Sequence, residues 1–259
     1  MSNSAPNPTS AIFLFILLTS VYFMIKYNSQ PRQGKIFFVI YMLLLIIGEF
    51  FINIALTKAM CGSNQMSSAA FMTIIPWFFI FGVLNLVLMM FPGWLAPFSN
   101  TIGYGITKIL GLNDLLSDIF KAKLKPEELK IANIGAMAEA LEHIYNDKSL
   151  LINEITEENF DNFWTNMSPL FKPKVKDSVE MKKRLFDYVR LKDIIAEYIW
   201  FMLTGILVSS VSYNSLVNNG CKQTVKEIKA RHKAYEEQER LNAQAIANGA
   251  PPRVYTTSE

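Results

Sequence analysis

Four apolar stretches, each close to the length a helix needs to cross a bilayer, constrain this chain more than any other feature. A hydrocarbon core about 30 Å thick takes about 20 residues of helix, and lipid offers backbone N–H and C=O groups no partner outside the helix itself. The stretches are residues 10–27, 35–57, 70–91 and 193–217. The first has no Lys or Arg ahead of it, so it reads as a retained anchor and not as a cleaved secretory signal. The third contains Pro76 near its start, where a missing N–H is easiest to tolerate. In the fourth, Trp200 near the beginning and Tyr213 near the end suit the two membrane interfaces.

Charge is distributed accordingly. Only 18% of the 259 residues are Asp, Glu, Lys or Arg, and these are nearly absent from the first hundred positions. The chain is therefore expected to combine a membrane-embedded region with a water-exposed one, which excludes a purely soluble enzyme and a disordered chain. The balance of 25 basic to 22 acidic residues is too even to suggest nucleic-acid binding.

The fold class expected is all-α: a multi-span helical membrane protein with about four transmembrane helices, a small helical extramembrane domain and a charged C-terminal helix. Residues 1–106 form an N-terminal membrane region with three spans. It closes with a Pro/Gly/aromatic segment, 91–105, too broken to cross as a helix and expected as an interfacial or re-entrant turn anchored by Trp94. Residues 107–192 form the extramembrane domain, 193–217 the fourth span, and 218–259 a charged helical tail with an extended end.

Within the domain, Ile109, Leu112, Leu115, Leu116, Ile119 and Phe120 recur at helical spacing. Pro126, Glu127 and Glu128 start a second helix carrying Leu129, Ile134, Met137, Leu141 and Ile144. Thr156 is expected to cap a third, with Phe160, Phe163, Trp164 and Met167. Asp177 and Glu180 resemble a capping box, after which one helix can run through the basic cluster into the fourth span. Opposite charges in the tail, Glu227 with Arg231 and Glu236 with Arg240, stand four apart as on a solvated helix.

Lys26, Arg32 and Lys35 in the first short loop place the N-terminus outside and the 92–192 segment on the cytosolic side. The tail then lies outside, although Lys222, Lys226, Lys229, Arg231 and Lys233 would by the same rule favour the cytosol.

Few residues suggest chemistry. Cys61 and Cys221 follow the second and fourth spans at similar distance, so a disulfide and two free thiols are both open. Glu49 and Asn53 share a face of the second span, where an ionisable group must face protein, water or a partner helix. They suit either an ion or proton path or a neutral, hydrogen-bonded Glu joining helices, with Asn85 of the third span as a partner. His143 and His232 are the only histidines and lack zinc-site spacing. Gly103, Gly105 and Gly111 make no phosphate loop, and there is no serine-hydrolase elbow. No cofactor, metal or catalytic residue is expected. Phe160, Phe163 and Trp164 serve either as core or as anchors for a partner.

The segment 73–105, through Pro92–Trp94, Pro97–Thr101 and Gly103–Tyr104, resembles a motif in membrane proteins of large icosahedral nucleocytoplasmic DNA viruses of the algal type. That resemblance implies a membrane-associated minor capsid protein, anchoring an inner membrane to the capsid shell. Its partners would be the lipid bilayer and other capsid proteins. An ion or small-solute transporter using Glu49 and Asn53, and a non-structural viral protein that recruits membrane, are the alternative expectations.

Overall fold

The computed structural model describes residues 8–29, 31–62, 65–121, 135–219, 221 and 225–248. The protein is all-α, and four of its helices are long and apolar enough to span a membrane. They are α1 (Thr9–Asn28), α2 (Pro31–Cys61), a third span over Met66–Met90, and α11 (Val179–Asn218). The third span comprises α3 (Met66–Ile74), a π-helical stretch Ile75–Phe81, and α4 (Gly82–Met90). Among the described residues no strand forms; Phe120 and Phe171 make an isolated antiparallel bridge.

The bundle core is aromatic. Phe201 of α11 sits edge-on to Phe23 at 5.1 Å and to Phe81 at 5.4 Å, while Tyr22 stacks on Tyr41 at 4.8 Å. Trp77 and Phe15 are fully buried beside them, with ring centroids 5.6 Å apart. Large apolar side chains such as Phe13, Leu43, Phe51, Phe71 and Leu207 point outward. In water that would be a costly exposed surface; facing acyl chains it is the ordinary state of a spanning helix.

Pro76 lies well inside the third span, not near its start, because helix begins at Met66. Its ring removes one backbone donor, and the chain accommodates this by widening into the π-helical stretch. Residues 91–105 are also more regular than expected. After Phe91 the chain continues through a 3-10 turn (Pro92–Leu95), α5 (Ala96–Phe98), a second π-helical stretch (Ser99–Gly103) and α6 (Tyr104–Ile109).

The domain is built from α7 (Leu112–Ile119), α8 (Gly135–Asn146), α9 (Lys148–Asn153) and α10 (Phe160–Met167), closed by the first turns of α11. The helix expected from Thr107 onward is broken at Gly111, whose φ of 100° is the left-handed region that costs glycine little. Ile109, placed on the apolar face by its spacing, is consequently 85% exposed, whereas Leu112, Leu115, Leu116 and Ile119 are buried. Phe171 fits between Trp164, at 4.6 Å, and Phe120, at 5.3 Å.

Two caps differ from expectation. Ser178, not Asp177, caps α11 by accepting from the Met181 N–H. Thr156 does not cap α10; it exchanges hydrogen bonds with Asn159, which precedes the helix. The helix start expected at Pro126, with Leu129 and Ile134, lies outside the described residues, as do the side chains of Met137 and Leu141. The extended end, Lys222, and the side chains of Lys226, Glu227 and Arg231 lie outside them too. α12 (Val225–Ala247) is exposed at nearly every described position, with His232 paired to Glu236 at 3.3 Å.

Candidate functional site

One continuous helix joins the two halves of the molecule. Leu185 and Val189 at the start of α11 are buried in the domain core, while Ile194, Phe201 and Val208 further along it are buried in the bundle core. Between them stands Lys192, almost wholly buried, its Nζ donating to the carbonyls of Ile152 at 3.1 Å and Ile155 at 3.4 Å. The next residue, Asp193, accepts from Ser99 Oγ at 2.7 Å. The segment after the third span thus docks on α11 where the domain does. Gly103 permits that docking: a β-carbon there would lie 3.1 Å from Lys192 Cγ and closer still to the Lys192 carbonyl oxygen. The Pro/Gly/aromatic segment is therefore a structural joint. Trp94 remains 53% exposed and stacks on Phe91 at 6.0 Å.

At the same level Lys26 of α1 forms an ion pair with Glu197 of α11. Arg190 donates to the carbonyls of Lys26 at 3.2 Å and Ser29 at 2.7 Å, which holds the end of α1 to the domain side of the bundle.

A second group of polar residues lies within the spans. Asn53 Nδ2 donates to Thr73 Oγ1 at 2.8 Å and to Ser212 Oγ at 3.2 Å, joining α2, α3 and α11. Ser212 Oγ donates in turn to the Met72 carbonyl at 2.6 Å. In a regular α-helix that carbonyl would receive the N–H of residue 76, which proline lacks. The sequence does not single out Thr73, which donates to the Ala69 carbonyl of its own helix, or Ser212, for which the carbonyl four residues before an intramembrane proline is the one available signal.

Glu49 is 1% exposed and sits near the middle of α2. It faces a cavity of about 240 Å³ with Asn53, Ser209, Ser212, Tyr213 and the first residues of α1. Among the described residues, Glu49 Oε1 and the buried Ser209 Oγ have no hydrogen-bond partner. The pairing of Glu49 with Asn85 is not formed. Asn85 donates to the Phe81 carbonyl of its own helix at 2.8 Å and lines a different crevice.

Of the remaining expected residues, Cys61 and Cys221 are joined in a disulfide. Trp200 packs edge-on against Phe98 at 6.0 Å, and Tyr213 is half-buried beside the Glu49 cavity. Phe160 and Trp164 are 3% and 7% exposed in the domain core, so neither is available as a surface anchor; Phe163 is half-buried beside them. Among the described residues no group of three or more His, Cys, Asp or Glu could hold a metal ion. Comparison of the chain with protein-family models, with curated proteins and with solved structures finds no match.

Proposed function

We propose that the chain is a structural membrane protein of a viral particle, a minor capsid protein that holds an inner membrane to the protein shell. The observation that carries this reading is α11, one helix of 40 residues whose start is core to the domain and whose remainder is core to the bundle. A load applied to the domain passes into the bilayer anchor through helix backbone, with no flexible linker between them. Lys192, Asp193, Arg190 and Lys26 brace that joint on several sides. The resemblance of residues 73–105 supplies the viral setting, and the exposed α12 offers further surface to neighbours. Mass spectrometry of purified particles tests the reading. The chain is expected in them at a fixed ratio to the major shell protein, in a density that contacts both membrane and shell. Its absence would favour a non-structural, membrane-recruiting role.

A second reading rests on the Glu49 cavity. An unpartnered carboxylate oxygen and serine hydroxyl beside a cavity of about 240 Å³ within the spans suit a cation or proton site. Ion flux through proteoliposomes, abolished by Glu49→Gln with the helical fold intact, would establish conduction in place of anchoring.

A further inference from the structure

The second and third spans pack closely along α3 but part company along α4, leaving a crevice of about 650 Å³ on the domain side of the bundle. That volume is in the range of about 300–1,000 Å³ usual for small-molecule sites. Its walls are Phe38 and Val39 of α2 and Leu88 and Met89 of α4, with Tyr22 and Phe201 behind them. Its rim carries three cations, Lys26, Lys35 and Arg190, and three anions, Glu157, Asp193 and Glu197. A cleft with hydrocarbon walls below and paired charges above has the polarity of one phospholipid molecule. The charges are not all used. Lys35 has no partner among the described residues, and Arg190 Nε lacks a hydrogen bond, its nearest carboxylate oxygen being that of Glu157 at 4.0 Å. Asn85, 2% exposed, also lines the crevice, and its Oδ1 has no hydrogen-bond partner among the described residues. A buried acceptor left alone is costly, so a crevice filled by acyl chain only is a poor account of it.

We propose that this crevice holds one zwitterionic, amine-bearing phospholipid. Its phosphate lies beside Lys35 and the Arg190 side chain, its ammonium faces Glu157, and an acyl chain runs down the wall of Val39, Leu88 and Met89. Charge complementarity selects the headgroup: the rim has equal numbers of each sign, which suits a zwitterion better than a net anion. Carboxylates on that rim also favour an ammonium able to donate over a quaternary amine that cannot. Asn85 Oδ1 is satisfied by hydration water drawn in with the headgroup.

The test is native mass spectrometry of the full chain in mild detergent, equilibrated with equal amounts of phosphatidylethanolamine, phosphatidylcholine and phosphatidylglycerol of identical acyl composition. One phosphatidylethanolamine is expected to survive per chain in excess over the other two. Lys35→Gln should lower its occupancy about fivefold, the effect of one basic side chain near a lipid surface. Glu157→Gln should erase the preference for ethanolamine over choline, and Val39→Trp should expel the lipid. Leu86→Trp, on the outward face of α4 and outside the crevice lining, should leave occupancy unchanged and controls for folding. Equal retention of the three headgroups, preference for phosphatidylglycerol, no retained lipid, or occupation of the crevice by a helix of a second protein would each overturn the proposal.

Discussion

Ser212 Oγ donates to the Met72 carbonyl across the interface between the third and fourth spans, filling the position that Pro76 leaves without a backbone donor. The serine on one helix thus compensates for the proline on another, and Asn53 ties both to α2. Removing Ser212 as Ala should cost roughly 0.6 kcal/mol and at most about 1.7, the range of interhelical hydrogen bonds inside membranes. In a Pro76→Ala background the same change should cost less, because the alanine N–H restores a donor. A double-mutant cycle on detergent-unfolding midpoints measures the difference, and additive effects would disprove the compensation.

Gly205 of α11 lies beneath the Phe15 ring. A β-carbon there would stand 2.6 Å from Cε1 and nearer still to two other ring atoms. Phe15 is fully buried among Trp77 and Phe81, so its ring has no free space to move into. Gly205→Ala should therefore destabilise the bundle by roughly 1–3 kcal/mol, as overpacking does elsewhere. Phe15→Leu in the same chain should recover part of the loss. Thermal aggregation in detergent reads both.

Much of this architecture is legible in the sequence, and the rest is hidden for physical reasons. The spans are legible because lipid enforces long apolar helices whatever their packing partners, and α7 is legible because its leucines repeat at helical spacing. The break at Gly111 is not, since the apolar pattern runs through it, and only the backbone angle separates Ile109 from Leu112. Glu49 and Asn53 stand out as polar residues on an apolar helix. The partners of Asn53 do not, because Thr73 and Ser212 are small residues common in any span. The pairing of Asn85 with Glu49 fails for a related reason: composition gives a residue's depth but not the direction in which its helix faces.

Lys192 Nζ holds the segment Ile152–Ile155 against α11. Lys192→Met keeps most of the aliphatic stem and removes the donor. Leaving a buried carbonyl unpaired costs about 1–3 kcal/mol. Faster amide exchange is expected in residues 148–156 with α1 and α2 unaffected, which would show the loss to be local to the joint. Unchanged exchange there would mean that apolar packing alone seats the domain.

Glu157 links pH to the stability of the same joint. Burial raises its carboxyl above the usual value, opposed in part by Arg190 and Lys26 and reinforced by Asp193 and Glu197. A carboxyl whose folded value lies above its unfolded value binds its proton more tightly in the folded protein. Its contribution is therefore complete below the unfolded value, near 4.5, and is lost as pH rises through the raised folded one. The melting temperature of the wild-type chain should fall across that window relative to the Glu157→Gln variant, whose profile should be flatter. Parallel profiles would show that the carboxyl does not report on folding.

The disulfide fixes which ends of the helices share a membrane face. α1 reaches the domain side at Lys26, α2 leaves that side to end at Cys61, and α11 runs from the domain to Asn218 shortly before Cys221. Cys61 and Cys221 therefore lie at the face opposite the domain, where they join the far ends of two spans. A membrane-impermeant reductant should cleave the bond only from that face, while impermeant amine labels on Lys121 and Lys172 should react only from the other. In water, closing a loop of 160 residues would contribute about 5 kcal/mol by chain entropy. Here the inserted spans already confine both ends, so Cys61→Ser with Cys221→Ser should shift the unfolding midpoint by much less and leave the bundle assembled. Collapse of the double variant would mean that the spans do not insert independently of the covalent link.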